Sequence, residues 1–338
     1  MGFDDHTSSH LPVVQSSMTA FAREADTFVA SKALEIYRQK KSRQTVRRHM
    51  SDIALFEGFL ASTNQLPALD YQNEIEPWRL VTYGVLEVYR QWMLTQGYAM
   101  GSVNGRLYTA RKYCELAFQA GFMGEEQFRL IQTIKGYSGD ERRNIDEQRA
   151  ETRMETAKKA VPTQITYEQA EELKNQDDPR DALVMCLFID HGFRVGEVVR
   201  LRISDFNLAA GELKFYRHKV NKTQTHRLTP ATLGAARTYL DKVKLTTWAF
   251  PGNEKLNKDD EVGEVLGVRY MNRLVGRLGK ALDIADLSPH DLRHYWATRA
   301  TKLKTHVRDL QQAGGWNSPY MPLRYAADNA IANEGVMI

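Results

Sequence analysis

The sequence predicts a mainly α-helical protein of two domains, the second of α+β type with a small β-hairpin or sheet. Three observations carry that expectation. Apolar residues recur at helical spacing along most of the chain. Only the stretch 212–229 shows clear hairpin signals, two strand-like runs around a polar turn. And 338 residues, at roughly 150 per domain, suit two domains.

Residues 1–18 are polar and rich in Ser and His, and read as a flexible N-terminus. A helical bundle is expected over 19–135. Val46, Met50, Ile53 and Leu60 recur at helical spacing, Phe56 and Phe59 widen the stripe, and Ser42 is the N-cap. A second helix is expected over 83–96, closed by Gly97 at C′. Ser102 is expected to cap a third, which carries Val103, Leu107, Ala110, Cys114 and Ala117 and ends near Gly121. From 136 to 161 charges of alternating sign, among them Asp140, Glu141, Arg142 and Arg143, stand with almost no apolar anchor, the pattern of an exposed linker. Thr166 and Gln169 form a capping-box pattern that opens the second domain, 162–326. Its hairpin is expected from 212–220 and 225–229, around a polar turn at 221–224. A tail, 327–338, ends in Val336-Met337-Ile338, apolar for an exposed terminus and suited to dock on a neighbouring protomer.

Hydrophobic residues make up 42% and charged residues 26%, which excludes a largely disordered chain. The longest apolar runs, such as 182–189, fall far short of the ~20 residues a membrane span needs. No apolar stretch led by Arg or Lys opens the chain, so a secretion signal is not expected. Two cysteines, Cys114 and Cys186, cannot build a disulfide framework or a cysteine zinc site, and a cytoplasmic setting suits them. Zinc-binding spacing of the HExxH kind is absent, so no metal role is expected.

The net charge of +4 is a small difference between 46 basic and 42 acidic residues, so any basic surface must come from placement. Arg38, Lys40, Lys41, Arg43, Arg47 and Arg48 crowd the segment 37–49, and Arg106, Arg111 and Lys112 lie opposite the apolar stripe of the third helix. Such faces suit DNA phosphates, which position a protein without reading sequence. A basic helix face turned to water is the stronger reading of each run on its own; a DNA substrate for the second domain would tip it toward phosphate contacts.

Three stretches of the second domain stand out. In His191-Gly192-Phe193-Arg194-Val195-Gly196-Glu197, Arg194 follows an apolar helix and a Gly turn, and then begins another helix. An arginine at that junction points into the domain and needs an anion, either Glu197 or a ligand. In Ser288-Pro289-His290-Asp291-Leu292-Arg293-His294, Pro289 starts a helix, and His290 and Arg293 share one face of its first turn, where unpaired N–H groups favour an anion. His294 is expected to point elsewhere and to be structural. The third stretch is Gly314-Gly315-Trp316, followed by Tyr325 in Pro322-Leu323-Arg324-Tyr325-Ala326, with Tyr320 and Tyr295 as neighbouring alternatives.

Two arginines, a histidine and a tyrosine in this order and spacing resemble the tyrosine recombinase (phage integrase) family. The likeness is strongest over 288–325, including Ala297-Thr298, and Gly192-x-Arg194-x-x-Glu197 with Leu201 and Asp205 resembles the family's first-arginine box. The resemblance implies an N-terminal helical core-binding domain and a C-terminal tyrosine recombinase catalytic domain, together a C-shaped clamp on DNA. It implies Tyr325 as nucleophile on a DNA phosphodiester, giving a 3′-phosphotyrosine and a free 5′-hydroxyl. Arg194 and Arg293 would hold the non-bridging oxygens, with His290 as base and Glu197 as orienting partner of Arg194. A lysine in the hairpin turn would protonate the leaving oxygen. Lys222 matches it better than Lys219, although both are candidates. Trp316 stands where many members have histidine; it offers an indole N–H and packing but no proton transfer. The resemblance further implies double-stranded DNA as partner, a homotetramer on two sites with a dimer on each, a Holliday junction, and no cofactor or membrane. A type IB topoisomerase-like relaxing enzyme and a catalytically silent DNA-binding protein are the competing readings.

Overall fold

The computed structural model describes residues 18–63, 69–148, 162–243, 247–252 and 265–327. Residues 1–17, 149–161 and 328–338, and with them most of the expected N-terminal and C-terminal tails and half of the expected linker, lie outside the described residues. The chain divides into two compact units, Met1–Ala160 and Val161–Ile338. The architecture is mainly helical with one small antiparallel sheet, as expected.

The first unit contains α1 (Met18–Gln39), α2 (Arg43–Ser62), α3 (Tyr83–Thr95), α4 (Met100–Gln119), α5 (Glu125–Thr133) and α6 (Gly139–Gln148), with a short 3-10 turn at Glu76–Leu80. Ser42 caps α2, its hydroxyl accepting from the Thr45 amide at 3.1 Å, and Thr82 caps α3 in the same way. Gly97, at φ 76°, follows the end of α3. The start of α4 differs from expectation. Ala99, not Ser102, is its N-cap, because Met100 is drawn into the core and carries the helix three residues further back. Aromatic side chains dominate that core. Phe56 stacks on Trp78 at 5.4 Å between centroids and meets Tyr71 and Tyr89 edge-on. The indole N–H of Trp78 donates to the Tyr71 carbonyl at 3.0 Å, so the fully buried ring leaves no polar group unpaired. Residues 139–148, expected in the linker, are helical.

The second unit is built round α8 (Pro179–His191), whose run from Leu183 to Ile189 is buried on every side and packs against α7 (Tyr167–Lys174), α10 (Pro230–Leu240) and α12 (Pro289–Lys302). Both hydrogen bonds of the Thr166–Gln169 capping box are formed at the start of α7. A one-turn helix, α9 (Val195–Val198), leads to the sheet, in which β1 (Phe206–Asn207), β2 (Glu212–Arg217) and β3 (Lys222–Arg227) pair antiparallel in chain order. Then come α11 (Val268–Ala281), α12, α13 (Val307–Gly314) and α14 (Tyr320–Ala327). The hairpin turn lies at 218–221, not 221–224. The ladder runs on until Lys222 faces Arg217, and Asn221 closes the turn with a left-handed φ of 50°. No helix among the described residues is long and apolar enough to cross a membrane. Both cysteines are buried and free.

Candidate active site

Three helix ends in the second unit bring the candidate residues together. The first is the break between α8 and α9. Gly192 ends α8 in the left-handed region, at φ 59°, and a Cβ there would fall 2.2 Å from the Trp296 ring, so only glycine suits the position. The chain then turns so that Arg194 caps α9. Its amide donates to one Glu197 carboxylate oxygen, and its guanidinium donates to the other, both at 2.9 Å. A second guanidinium donor reaches the Gly315 carbonyl at 3.2 Å.

The second end is the start of α12. Ser288 and Asp291 form a capping box and Pro289 opens the first turn. Arg293, 3% exposed, donates to the carbonyls of Gly192 and Gly314, the latter at 2.6 Å. Burial and then Arg194 push its guanidinium down to about 9, with Glu197 acting in the opposite sense, and it stays charged at neutral pH. His290 stands exposed one turn earlier on the same face.

The third end is the C-terminus of α13, where Gly315 adopts φ 59° and Trp316 follows. Trp316 lies beneath the Arg293 guanidinium at 4.7 Å and 6.0 Å from Trp296. On α14, Tyr325 is 3% exposed and lies 5.7 Å from the Trp316 ring. Burial pushes its phenol up, while Arg293, Arg324 and Arg194 pull it back. The neighbouring alternatives stand apart: Tyr320 is exposed, and the Tyr295 hydroxyl takes a donor from Arg299.

His294 does not point away. Its ring meets Tyr325 edge-on at 4.7 Å. The reason is helical: residues 290 and 294 are one turn apart, so His290 and His294 lie on the same face as Arg293. A lysine within the hairpin turn is Lys219, while Lys222 opens β3. Pairing with Arg217 nevertheless puts Lys222 on the sheet face that carries Arg217, Gln224 and His226, and it lines a cavity of about 630 Å³ with the last two and Trp296.

The basic residues of the first unit separate into two groups. Lys40, Lys41, Arg43, Arg47 and Arg48 are exposed around the start of α2. Arg106, Arg111 and Lys112 do not form an outer face. Arg106 lies over the Tyr98 ring at 4.2 Å and 4.0 Å from Asp52, Arg111 donates to the Gln132 carbonyl, and Lys112 pairs with Glu115 at 2.7 Å. α4 packs against α2 and α5, so Arg106 and Arg111 reach from it to neighbouring elements, while Lys112 pairs along α4 itself. Arg48, although exposed, also lies 3.5 Å from Asp52.

Sequence reasoning missed Arg217, which is fully buried beside Glu197 and reads in the sequence as one more strand cation. It missed Trp296, whose only signal is its spacing from Arg293. It also missed the basic stripe of α11, where Arg269, Arg273, Arg277 and Lys280 are exposed at helical spacing. Among the described residues no group of three or more His, Cys, Asp or Glu could hold a metal ion.

Residues 163–331 match the phage integrase family, and that segment contains Arg194, Glu197, Lys222, His290, Arg293, Trp316 and Tyr325. The tyrosine recombinase XerA of Pyrococcus furiosus is 26% identical over 190 residues, a match that covers 55% of this chain and, at 64%, just under two thirds of that protein. The tyrosine recombinase XerC of Vibrio campbellii is 22% identical over 320 residues, covering 91% of this chain and 87% of that one. Among solved structures, a lambda integrase dimer bound to a COC′ core site aligns with TM-score 0.61 and 15% identity, over 96% of this chain and 85% of that one. The Tn1549 transposon integrase in complex with circular intermediate DNA aligns with TM-score 0.60 and 13% identity, over 90% and 96%. At such identities these two likenesses concern the fold. The class of protein is that of the tyrosine-type site-specific recombinases. The chain belongs to the phage integrase family.

Proposed function

We propose that this protein cuts and rejoins double-stranded DNA at a specific site through a covalent tyrosine–phosphate bond. The observation that carries the reading is the burial of Tyr325 against His294 and Trp316, close enough to Arg293 and Arg194 for both to act on its phenol. Arg194 and Arg293 each keep donors beyond those given to protein oxygens, and a planar fork suits the non-bridging oxygens of a phosphodiester. Those oxygens gain charge as the phosphorus becomes five-coordinate, so preorganised donors lower the barrier. The Tyr325 oxygen attacks phosphorus, its proton passes to His290, and the bond to the 5′-oxygen breaks as Lys222 supplies a proton. Trp316 and His294 hold the phenol. The reverse attack by a 5′-hydroxyl rejoins the strand, and the phosphotyrosine bond conserves the energy for it.

Lys40, Lys41, Arg43, Arg47 and Arg48 on the first unit and the α11 stripe on the second are the surfaces suited to backbone phosphates. Two protomers on each site and four across two sites would exchange strands through a Holliday junction. The test is a nicked duplex carrying the site that the purified protein protects from cleavage. Loss of the short strand beyond the nick traps the covalent adduct. Wild type should accumulate it and Tyr325→Phe should not; equal behaviour of the two would refute the assignment. A two-site exchange assay beside a supercoil-relaxation assay then separates recombination from simple relaxation.

A further inference from the structure

We propose that Arg217 is a positioning residue for this cleavage, setting the donors of Arg194 through the carboxylate they share; the proposal rests on the recombinase reading above. Arg217 is the last residue of β2 and its side chain is fully buried. One terminal nitrogen donates to both Glu197 oxygens at 3.0 Å, and so competes with Arg194 for the same carboxylate. The other terminal nitrogen donates to the Ala313 carbonyl at 2.7 Å. Its Nε donates to the Gln224 side-chain oxygen, and the Gln224 amide in turn donates to the Gln312 carbonyl at 2.7 Å.

A helix leaves its last four carbonyls without partners. At the end of α13 the Arg217–Gln224 pair reaches Ala313 and Gln312, the latter also accepting from the Gly315 amide; Arg293 and Arg217 both donate to Gly314, and Arg194 donates to Gly315. Gly315 lies flat against the arginine: a Cβ there would come within 2.6 Å of the Arg217 Cδ. Arg217 therefore fixes two things at once. It holds the turn from which Trp316 projects. It also shares the charge of Glu197, so that the Arg194 guanidinium is oriented by one carboxylate oxygen while both oxygens also serve Arg217. Two guanidiniums, those of Arg194 and Arg217, share one carboxylate here, and Arg293 stands beside them on backbone carbonyls, so the cluster keeps a surplus of positive charge for a phosphate.

Removing Arg217 gives Glu197 wholly to Arg194 and frees the turn. Misplacement of a reacting group by about 1 Å costs on the order of 10²-fold in rate. The full-length chain and its R217M, R217K, E197Q and R217M/E197Q variants are compared on the nicked duplex. The readouts are the single-turnover rate of adduct formation at saturating protein, the affinity for the same duplex, and the unfolding midpoint. R217M should lose on the order of 10²-fold in rate while keeping its affinity. R217K should recover part of the rate. The double variant should be no slower than the slower single variant, because the two residues act as one unit. Three results would overturn the proposal: an R217M rate equal to wild type, losses that multiply in the double variant, or a rate that falls only in step with affinity and folding in both R217M and R217K. If wild type forms no adduct at all, the recombinase reading fails, and this proposal with it.

Discussion

Arg293 shows how much one side chain can be asked to do. It is buried, it carries two backbone carbonyls, and its guanidinium lies against the Trp316 ring. A lysine offers one point of charge and cannot span the same acceptors. Arg293→Lys should therefore slow adduct formation nearly as much as Arg293→Ala, each on the order of 10²–10³-fold, measured on the nicked duplex. The lysines call for a different probe. With sulfur in place of the bridging 5′-oxygen the leaving group departs without a proton, so only the variant lacking the general acid regains its rate. Lys222→Ala should be restored on that substrate, and Lys219→Ala should need no restoration. The reverse pattern would move the role to the lysine in the turn.

Between elements, the first unit sorts its cations by what the helices pack against. Arg47 is exposed on α2, whereas Arg106 is held between Tyr98 and Asp52. Arg47→Ala should weaken DNA binding and reduce the salt dependence of log affinity by about one unit, whereas Arg106→Ala should leave that slope unchanged and lower the unfolding midpoint. Salt titrations of binding and thermal unfolding check both. The same contrast explains what could be read from the chain. Helix starts with a chemical signature were legible, as at Ser42, Thr166 and Pro289, because a capping side chain or a first-turn proline acts within three residues. The pairing of Arg194 with Glu197 was legible for the same reason. The fate of Arg106 and Arg111 was not, since it depends on what α4 meets from α2 and α5. Arg217 and the hairpin turn were hidden because the register of a ladder is decided by both strands and by the α13 end beneath them. His294 was the exception, within reach of helical geometry alone.

On the scale of the whole chain, acidity acts through buried imidazoles. Burial holds His191 down to about 4 and His226 to about 3, with His191 and Arg217 also pressing on the latter. The unfolded chain takes up those protons below about 6.5, whereas the folded chain refuses them. Their contribution to stability is therefore complete above that pH and is lost progressively as pH falls toward about 4 for His191 and about 3 for His226. Urea unfolding across this range should show stability declining on the acid side, with a shallower slope for His226→Gln, which removes one of the titrating groups. An unchanged slope would place the acid sensitivity elsewhere. The knot of arginines around the end of α13 has one more consequence. Like charges gathered for a visiting anion ought to drive one another apart once it leaves. Here backbone carbonyls of the α13 end hold the guanidiniums side by side, so on the proposed reading a phosphate would meet a cluster whose geometry is already set by the protein itself.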